Sequence, residues 1–276
     1  MKKLIPIALC ALLISWAPPV NLSKISKAKK GVKLIAGAAH KINEEEEYHI
    51  GRAVAANILG QYPLWKNGKL TGYVNLVGRA LVLKSQRPEI YGGYHFAVLD
   101  TPEANAFSAP GGIIFLTRGI VSMATDEDEL AAVLAHEIQH IVAKDPLKAI
   151  QSQRLKALGT FTAGEAVGSG SGALGIFQDS VMDISGTLLQ KGYSRSQEKD
   201  ADLGALKLLA AAGYDSQALL DMLEKIKAVE KKKIKAFSAH PSAAKRIDYV
   251  AGGIGSADKN GRQIRDARFE QLAPDR

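Results

Sequence analysis

The sequence predicts a mostly helical α+β protein with a small β-sheet beside one central helix. Apolar residues recur at helical spacing over most of the chain, whereas from Tyr94 to Leu99 they alternate as in a strand. A Pro-Gly-Gly turn at residues 110–112 joins two further extended pieces. With 276 residues, of which 46% are hydrophobic and 23% charged, the chain can bury one principal core. We expect that core in one domain, residues 43–257.

The residues before this domain have the composition of a targeting segment. From Met1 to Ala17, two lysines precede an apolar run that is too short for a comfortable membrane span. Residues 1–17 are therefore predicted to be a signal peptide that directs the chain to the periplasm, and residues 18–42 a basic segment. A membrane-anchored or lipidated form is the weaker alternative, because Leu9 before Cys10 does not suit a lipoprotein signal. The mature chain is expected to have no transmembrane helix.

Composition argues against two classes of site. The net charge is +8, but the basic residues are spread out, without interleaved aromatic residues or a nucleic-acid motif, so nucleic-acid binding is not expected. Cys10 is the only cysteine and lies in the predicted signal peptide. The mature chain is therefore expected to have no disulfide and no cysteine ligand for a metal.

Two helices are predicted before the strand. Asn43 suits an N-cap and the four glutamates after it suit a first turn, so a helix should run to about Leu59; a metal-binding acidic patch is the alternative. A second helix should extend from about Leu70 to Lys84, with one face in the core. That face comprises Val74, Leu76, Val77, Ala80 and Leu81.

The extended segments between Tyr94 and Thr117 are predicted to form the small sheet. An exposed edge of this sheet would bind an extended polypeptide as a further strand. Asn105, Ala106 and Phe107 are the candidate substrate contacts on that edge. The alternative is a hairpin that only packs against the next helix.

The next helix, from Glu127 to Ala143, is rich in alanine and leucine. Thr125 with Asp128 resembles a capping box at its start, and Lys144-Asp145-Pro146 ends it. At about 100° per residue, four apolar side chains share a stripe that faces the core. They are Leu130, Leu134, Ile138 and Ile141.

This helix carries an H-E-x-x-H pattern, His136 to His140, away from the core-facing stripe. The two histidines are one turn apart, so both imidazoles can reach one metal ion, and Glu137 beside them suits a general base. The pattern is typical of a zinc site. An accidental match between two ordinary polar-face histidines is the alternative.

A third metal ligand has to come from elsewhere in the chain, because a catalytic zinc ion typically has three protein ligands and one open position. Ser194 and Gln197 match a capping box that opens another helix, on which Glu198 and Asp202 are one turn apart. Glu198 can reach the metal while Asp202 accepts the ring N–H of a ligating histidine. A solvated pair of surface acids is the alternative.

Two segments remain outside this scheme. Residues 164–176 are glycine-rich and lie between the ligand-bearing helices, so they are a candidate lid, with a plain flexible linker as the alternative. Residues 258–276 are predicted to be a polar C-terminal tail.

With these motifs, the chain resembles metallopeptidase family forty-eight, the gluzincins that include HtpX, the periplasmic BepA-like proteases and the CAAX prenyl proteases. The resemblance implies a zincin-like metalloprotease fold, one zinc ion per chain bound by His136, His140 and Glu198, and Glu137 as the catalytic carboxylate. The chain departs from HtpX in lacking its set of transmembrane helices. The resemblance rests on Asn105 to Gly112, His136 to His140, Ser194 to Asp202, and His240-Pro241-Ser242 with Arg246-Ile247.

Two further site residues are candidates. By resemblance, His240 at the start of the last helix caps the zinc in a resting state or donates a hydrogen bond to the transition-state oxyanion. A helix-capping or surface role for His240 is the alternative. Arg246 pairs with a carboxylate near the site or forms a structural ion pair.

Three functions follow as hypotheses. The first is a zinc endopeptidase of protein quality control that cleaves extended segments of unfolded or misassembled envelope proteins. The second is a chaperone-like factor for outer-membrane assembly whose protease site is closed and rarely active. The third is a basic surface-binding protein with a vestigial metal site.

Overall fold

The computed structural model describes residues 41–159, 186, 192–231, 240–255 and 261–272. It confirms the predicted fold class, a mostly helical α+β domain with a three-stranded sheet. The predicted signal peptide, nearly all of the basic segment and the glycine-rich candidate lid lie outside the described residues. Within these residues, no helix combines the length and the apolar character that a membrane span requires.

The described elements follow one another in a simple order. Two helices, a sheet with a short helix after it, and then six longer helices make up the domain. They are α1 (Glu44–Gln61), α2 (Gly68–Val82), β1 (His95–Leu99), β2 (Ala106–Ala109), β3 (Ile113–Thr117), α3 (Arg118–Met123), α4 (Glu127–Val142), α5 (Asp145–Gly159), α6 (Arg195–Ala212), α7 (Gln217–Lys231), α8 (Ala243–Ala251) and α9 (Arg262–Leu272).

Helix α1 begins with the cap that the sequence predicts. The Asn43 side chain accepts a hydrogen bond from the Glu46 N–H at 2.9 Å, and the Glu46 carboxylate accepts one from the Asn43 N–H at 3.0 Å. This reciprocal pair satisfies two backbone donors that the helix itself leaves unpaired. The helix continues two residues past the predicted end at Leu59.

Helix α2 departs from prediction at two core positions. Val74, Val77 and Leu81 are buried as expected, but Leu76 is 51% exposed and Ala80 is also exposed. Leu76 lies two residues from Val74, which is about 200° round the helix, so it cannot share the buried face.

Among the residues that the structure describes, the sheet has the order β1-β3-β2, which leaves β2 at an edge. β1 runs parallel to β3, and β2 runs antiparallel to β3. The Asn105 carbonyl accepts a hydrogen bond from the Thr117 N–H, so the backbone of Asn105 faces β3. Because backbone direction alternates along a strand, Ala106 and Ser108 present their N–H and C=O groups to the open edge.

The turn between β2 and β3 is fixed by helix α1. A Cβ atom on Gly51 would lie 1.8 Å from the Pro110 carbonyl oxygen, and one on Gly111 would lie 2.6 Å from the Tyr48 Cα. Gly111 also has a φ of +70°, a conformation that side chains disfavour. Glycine at both positions therefore lets α1 contact the turn closely and hold β2 in place.

Helix α4 runs through the centre of the domain. Its predicted apolar stripe is buried, and the other residues of its middle turns are buried as well. The N-cap is Asp126, one residue later than predicted, because its carboxylate accepts from the Glu129 N–H at 2.9 Å. The Glu129 carboxylate in turn accepts from the N–H and hydroxyl of Thr125. Thr125 is thus held just outside the helix rather than at its cap.

The C-terminal residues differ from the predicted polar tail, because residues 262–272 form helix α9 and pack on the domain. Phe269 is 2% exposed and belongs to the main core. Three arginines of α9, spaced three residues apart, pair with consecutive acids at the N-terminus of α4. The pairs are Arg262 with Asp126, Arg265 with Asp128, and Arg268 with Glu127. The polar composition of this segment does not reveal the packing, because Arg265 and Arg268 pair with the buried carboxylates Asp128 and Glu127.

Candidate metal centre

Four side chains from three parts of the chain converge beside helix α4. His136 and His140 lie on α4, Glu198 lies in the first turn of α6, and His240 precedes α8. Their ligand atoms lie within 4.8 Å of one another. The first three side chains are buried, and the two Nε2 atoms of His136 and His140 lie 3.2 Å apart.

The glutamate reaches both histidines. A Glu198 carboxylate oxygen lies 3.6 Å from His136 Nε2, and the other lies 3.8 Å from His140 Nε2. Helix α6 can approach α4 this closely because Gly204 has no side chain. A Cβ atom there would lie 2.6 Å from Gln139 Oε1.

Both histidines on α4 have their second ring nitrogen held by a carboxylate. His136 Nδ1 lies 2.9 Å from Asp202 Oδ1, and His140 Nδ1 lies 2.9 Å from Asp145 Oδ2. An ionised carboxylate only accepts hydrogen bonds, so each Nδ1 carries a proton, and in the neutral form that binds a metal each imidazole would turn the lone pair of its Nε2 into the cluster. The two Nε2 atoms lie 3.2 Å apart beside the Glu198 carboxylate, so both lone pairs and the carboxylate would be directed at one point. Two imidazole nitrogens and one carboxylate that converge in this way fit a metal ion.

The charges of the cluster also favour a cation. Burial and the Arg246 guanidinium lower the pKa of His136, but Asp202 and Glu198 outweigh both and raise it to about 9. Burial opposes ionisation of Glu198, yet His240 and His136 hold its pKa far below the usual range. Glu198 therefore carries a full negative charge in a buried position.

Arg246 supports the carboxylate behind His136. Its Nη2 and Nε atoms donate to the two oxygens of Asp202 at 2.6 and 2.9 Å, and the Tyr249 hydroxyl donates to the same carboxylate at 2.7 Å. Burial raises the pKa of Asp202, but Arg246 and His136 together hold it well below its usual range. Arg246 thus fixes an ionised Asp202 against His136.

Glu137 lies between the sheet edge and His240. Its Oε2 accepts a hydrogen bond from the Ser108 hydroxyl at 2.7 Å, and its Oε1 lies 3.6 Å from His240 Nε2. His240 is itself held by Glu198, with Nδ1 2.9 and 3.0 Å from the two carboxylate oxygens. His240 therefore bridges the Glu137 carboxylate and a candidate metal ligand.

The three predicted substrate contacts differ in their surroundings. The Phe107 ring packs in the second hydrophobic cluster and stacks on Tyr62, with ring centroids 6.3 Å apart. The Asn105 side chain accepts from the Ala106 N–H at 3.0 Å. Ser108, which sequence analysis did not single out, is the β2 residue whose side chain contacts Glu137. Ser108 lies within the Asn105 to Gly112 stretch that resembles the family, and this was the sequence feature that could have identified it.

Asp145 and Tyr193 are the other site residues that sequence analysis missed. Asp145 accepts hydrogen bonds from Gln197 Nε2 at 2.9 Å and from Lys148 Nζ at 3.2 Å, as well as from His140. The Tyr193 ring lies against the His140 imidazole, with centroids 4.4 Å apart. Asp145 was interpreted only as part of the helix terminator, because nothing local in the sequence relates it to His140.

Replacing Asp145 with asparagine is expected to weaken metal binding by about 10- to 100-fold, because His140 loses the carboxylate that fixes its tautomer. Competition with a chromogenic chelator measures the dissociation constant directly. Lys148→Ala is the matched control, since it removes only an exposed partner of Asp145. Equal losses in the two variants would mean that Asp145 serves only as a structural ion-pair residue.

Comparison with known proteins agrees with this geometry. The chain is 30% identical over 186 residues to the "Beta-barrel assembly-enhancing protease" of Escherichia coli K12, covering 66% of this chain and 37% of that protein. It is 36% identical over 180 residues to the "Mitochondrial metalloendopeptidase OMA1" of Schizosaccharomyces pombe, covering 64% and 51%. It is 28% identical over 158 residues to the "Metalloprotease LoiP" of Escherichia coli K12, covering 56% and 61%.

The chain thus spans less than two thirds of the length of each of these relatives. The profile of Peptidase family M48 matches residues 69–252, which include all four side chains of the cluster. Because this match extends over more than half of the sequence, the chain belongs to peptidase family M48, the metallopeptidase family that its motifs resemble.

Proposed function

We propose that this chain is a zinc-dependent endopeptidase. The observation that carries the proposal is the buried cluster of His136, His140 and Glu198 with Glu137 between the two histidines on the same helix. Two imidazole nitrogens and one carboxylate suit a catalytic zinc ion, whereas calcium and magnesium take mainly oxygen ligands. Membership of peptidase family M48 supports the same reaction.

Glu137 is the general base in this proposal. A zinc ion bound by the cluster would polarise the peptide carbonyl and make water more acidic. Glu137 takes a proton from the attacking water and delivers it to the leaving amine. Ser108 holds one carboxylate oxygen, and within the described part of the chain no donor forms a hydrogen bond to the other, Oε1. That oxygen is therefore available to accept the proton.

Polypeptide substrates are proposed to bind at the open edge of β2 as an added strand. The backbone of β2 passes Glu137 at Ser108, so a peptide paired with this edge would run past the cluster. Asn105, Ala106 and Phe107 contribute by shaping the strand: Phe107 anchors it in the core, while Ala106 faces the open edge.

A second candidate, a factor with a closed and rarely active protease site, is favoured by the position of His240. His240 contacts Glu198 and lies near Glu137, where it would compete with substrate for the same space. We propose that this arrangement is the resting state of the enzyme. His240 has to leave it before cleavage, and it can then donate a hydrogen bond to the substrate oxyanion.

The biological role is proposed from the relatives. One of them is named a β-barrel assembly-enhancing protease, and it shares the matched region with this chain. We extend that role to unfolded or misassembled envelope proteins as substrates, in the periplasm, with residues 1–17 as the export signal.

Metal removal tests the reaction class. Dialysis against a zinc chelator is expected to abolish cleavage of casein, an unfolded substrate, and one equivalent of zinc should restore it. Metal content by elemental analysis and casein fragments by gel measure the two quantities on the same sample. If the protein binds one zinc ion per chain but does not cleave casein, the factor with a closed and rarely active protease site is favoured. Casein cleavage that survives complete metal removal would overturn the proposal.

A further inference from the structure

Tyr193 is a hydroxyl-bearing residue at the centre that the proposed mechanism does not use. It precedes Ser194, the N-cap of α6, so the capping box of that helix fixes its backbone. Its ring lies against His140, and its hydroxyl donates a hydrogen bond to the Ser108 carbonyl at 3.3 Å. The hydroxyl therefore lies between a candidate metal ligand and the strand proposed to bind substrate.

The Ser108 carbonyl is a specific acceptor for a substrate. It belongs to the residue whose hydroxyl contacts Glu137, and it points to the open edge of β2. A peptide that pairs with this edge would donate one of its own N–H groups to that carbonyl. In the structure the Tyr193 hydroxyl donates to this carbonyl instead. The distance between the two oxygens is long for an O–H···O hydrogen bond, so the bond is weak.

The Tyr193 hydroxyl acts as a donor in this structure, because its partner, the Ser108 carbonyl, can only accept. A phenol has an ordinary pKa of about 10 and so keeps its proton at neutral pH. Once a substrate N–H occupies the Ser108 carbonyl, the phenol needs another acceptor close by. Carbonyl groups alternate with N–H groups along an extended peptide, so the substrate itself supplies one.

We propose that Tyr193 donates a hydrogen bond to the substrate carbonyl beside the metal ligands, exchanging the Ser108 carbonyl for it when a peptide binds. The inference rests on the proposed peptidase function and adds a catalytic residue to it. A donor directed at the oxygen that gains negative charge stabilises the transition state more than the bound substrate. The hydroxyl should therefore contribute to kcat more than to KM.

Tyr193→Phe tests the proposal, because it keeps the ring against His140 and removes only the hydroxyl. The expected result is a fall in kcat on casein of about 10²- to 10³-fold with little change in KM. Affinity for a phosphinic peptide that mimics the tetrahedral species, measured by calorimetry on the zinc-loaded protein, should weaken by a similar factor. Zinc content should stay at the parent value.

Tyr94→Phe is the matched control. Its hydroxyl also donates to a backbone carbonyl, that of Arg87 at 2.9 Å, but it lies in the core beside the sheet. Tyr94→Phe should change neither kcat nor phosphinic-peptide affinity, even if it lowers the melting temperature. An effect of equal size in both variants would mean that the Tyr193 hydroxyl only stabilises the fold, and it would overturn the proposal.

Two other outcomes separate this proposal from the function on which it rests. Unchanged or faster casein cleavage by Tyr193→Phe, with unchanged phosphinic-peptide affinity, would overturn the role of Tyr193 while leaving the peptidase assignment intact. A parent protein that binds zinc but leaves casein intact would count against the peptidase function. The calorimetric comparison would still decide the role of Tyr193, since it needs no turnover.

Discussion

Replacing Glu137 with glutamine is expected to remove nearly all peptide cleavage while the protein keeps its fold and its metal. The glutamine amide has the same shape, and its oxygen can still accept the hydrogen bond from the Ser108 hydroxyl. It cannot take a proton from water, so general acid–base catalysis is lost, which alone amounts to about 10² to 10⁴ in rate. Casein cleavage and bound zinc, measured side by side in the parent and the variant, give the result.

Two comparison variants sharpen the Glu137 experiment. Ser108→Ala removes only the donor that orients the carboxylate, so its rate should fall less than that of Glu137→Gln. Glu224→Gln neutralises an exposed glutamate of α7 and should cleave at the parent rate. Turnover retained in Glu137→Gln would move the base role to another residue, and loss of zinc in the same variant would mean that the substitution disturbs the ligands.

The parts of the site that could be predicted are those that local geometry determines. Helical periodicity alone predicts that His136 and His140 lie on one side of α4, away from the apolar stripe. The capping pattern at Ser194 likewise predicts a helix that starts just before Glu198, and the structure has both capping hydrogen bonds there. These predictions depend on residues within one turn of each other, so no tertiary information was needed.

The contacts that escaped prediction join residues far apart in the sequence. Ser108 and Glu137 are separated by 29 positions, and Ser108 and Tyr193 by 85. Each contact depends on how β2 lies against α4 and on where α6 begins, which spacing within a single element does not specify. A serine or tyrosine at such a position has no local pattern that distinguishes it from an ordinary polar residue.

The prediction of a polar C-terminal tail depended on charge composition, which does not show whether charged residues are paired. The predicted C-terminal tail is polar because α9 presents arginines to the acids at the N-terminus of α4. Acidic residues there are favoured by the helix dipole whether or not a partner covers them. The helix dipole therefore explains why acidic residues occur at this position, without any need for arginine partners. Only the tertiary structure shows that Glu127 and Asp128 are buried beneath a helix.

Removing any one of three side chains should remove the metal. His136→Ala, His140→Ala and Glu198→Ala are each expected to lose stoichiometric zinc, because the proposed ligand set has three members and two ligands leave the ion poorly held. Elemental analysis of the purified variants, with circular dichroism to verify helix content, measures the loss. Near-normal zinc in Glu198→Ala would show that the third ligand is another residue, with His240 the first candidate.

His240→Ala is the matched comparison, because His240 belongs to the same cluster but is not one of the three proposed ligands, and its Nδ1 lies 2.9 Å from Glu198. If His240 only covers the centre at rest, its alanine variant keeps zinc and binds a peptide hydroxamate at least as fast as the parent. If His240 stabilises the oxyanion, the variant keeps zinc and normal hydroxamate binding but loses about 10² to 10³ in turnover. Loss of zinc from His240→Ala would mean a four-ligand site, which leaves no position for water and favours the closed factor over the peptidase.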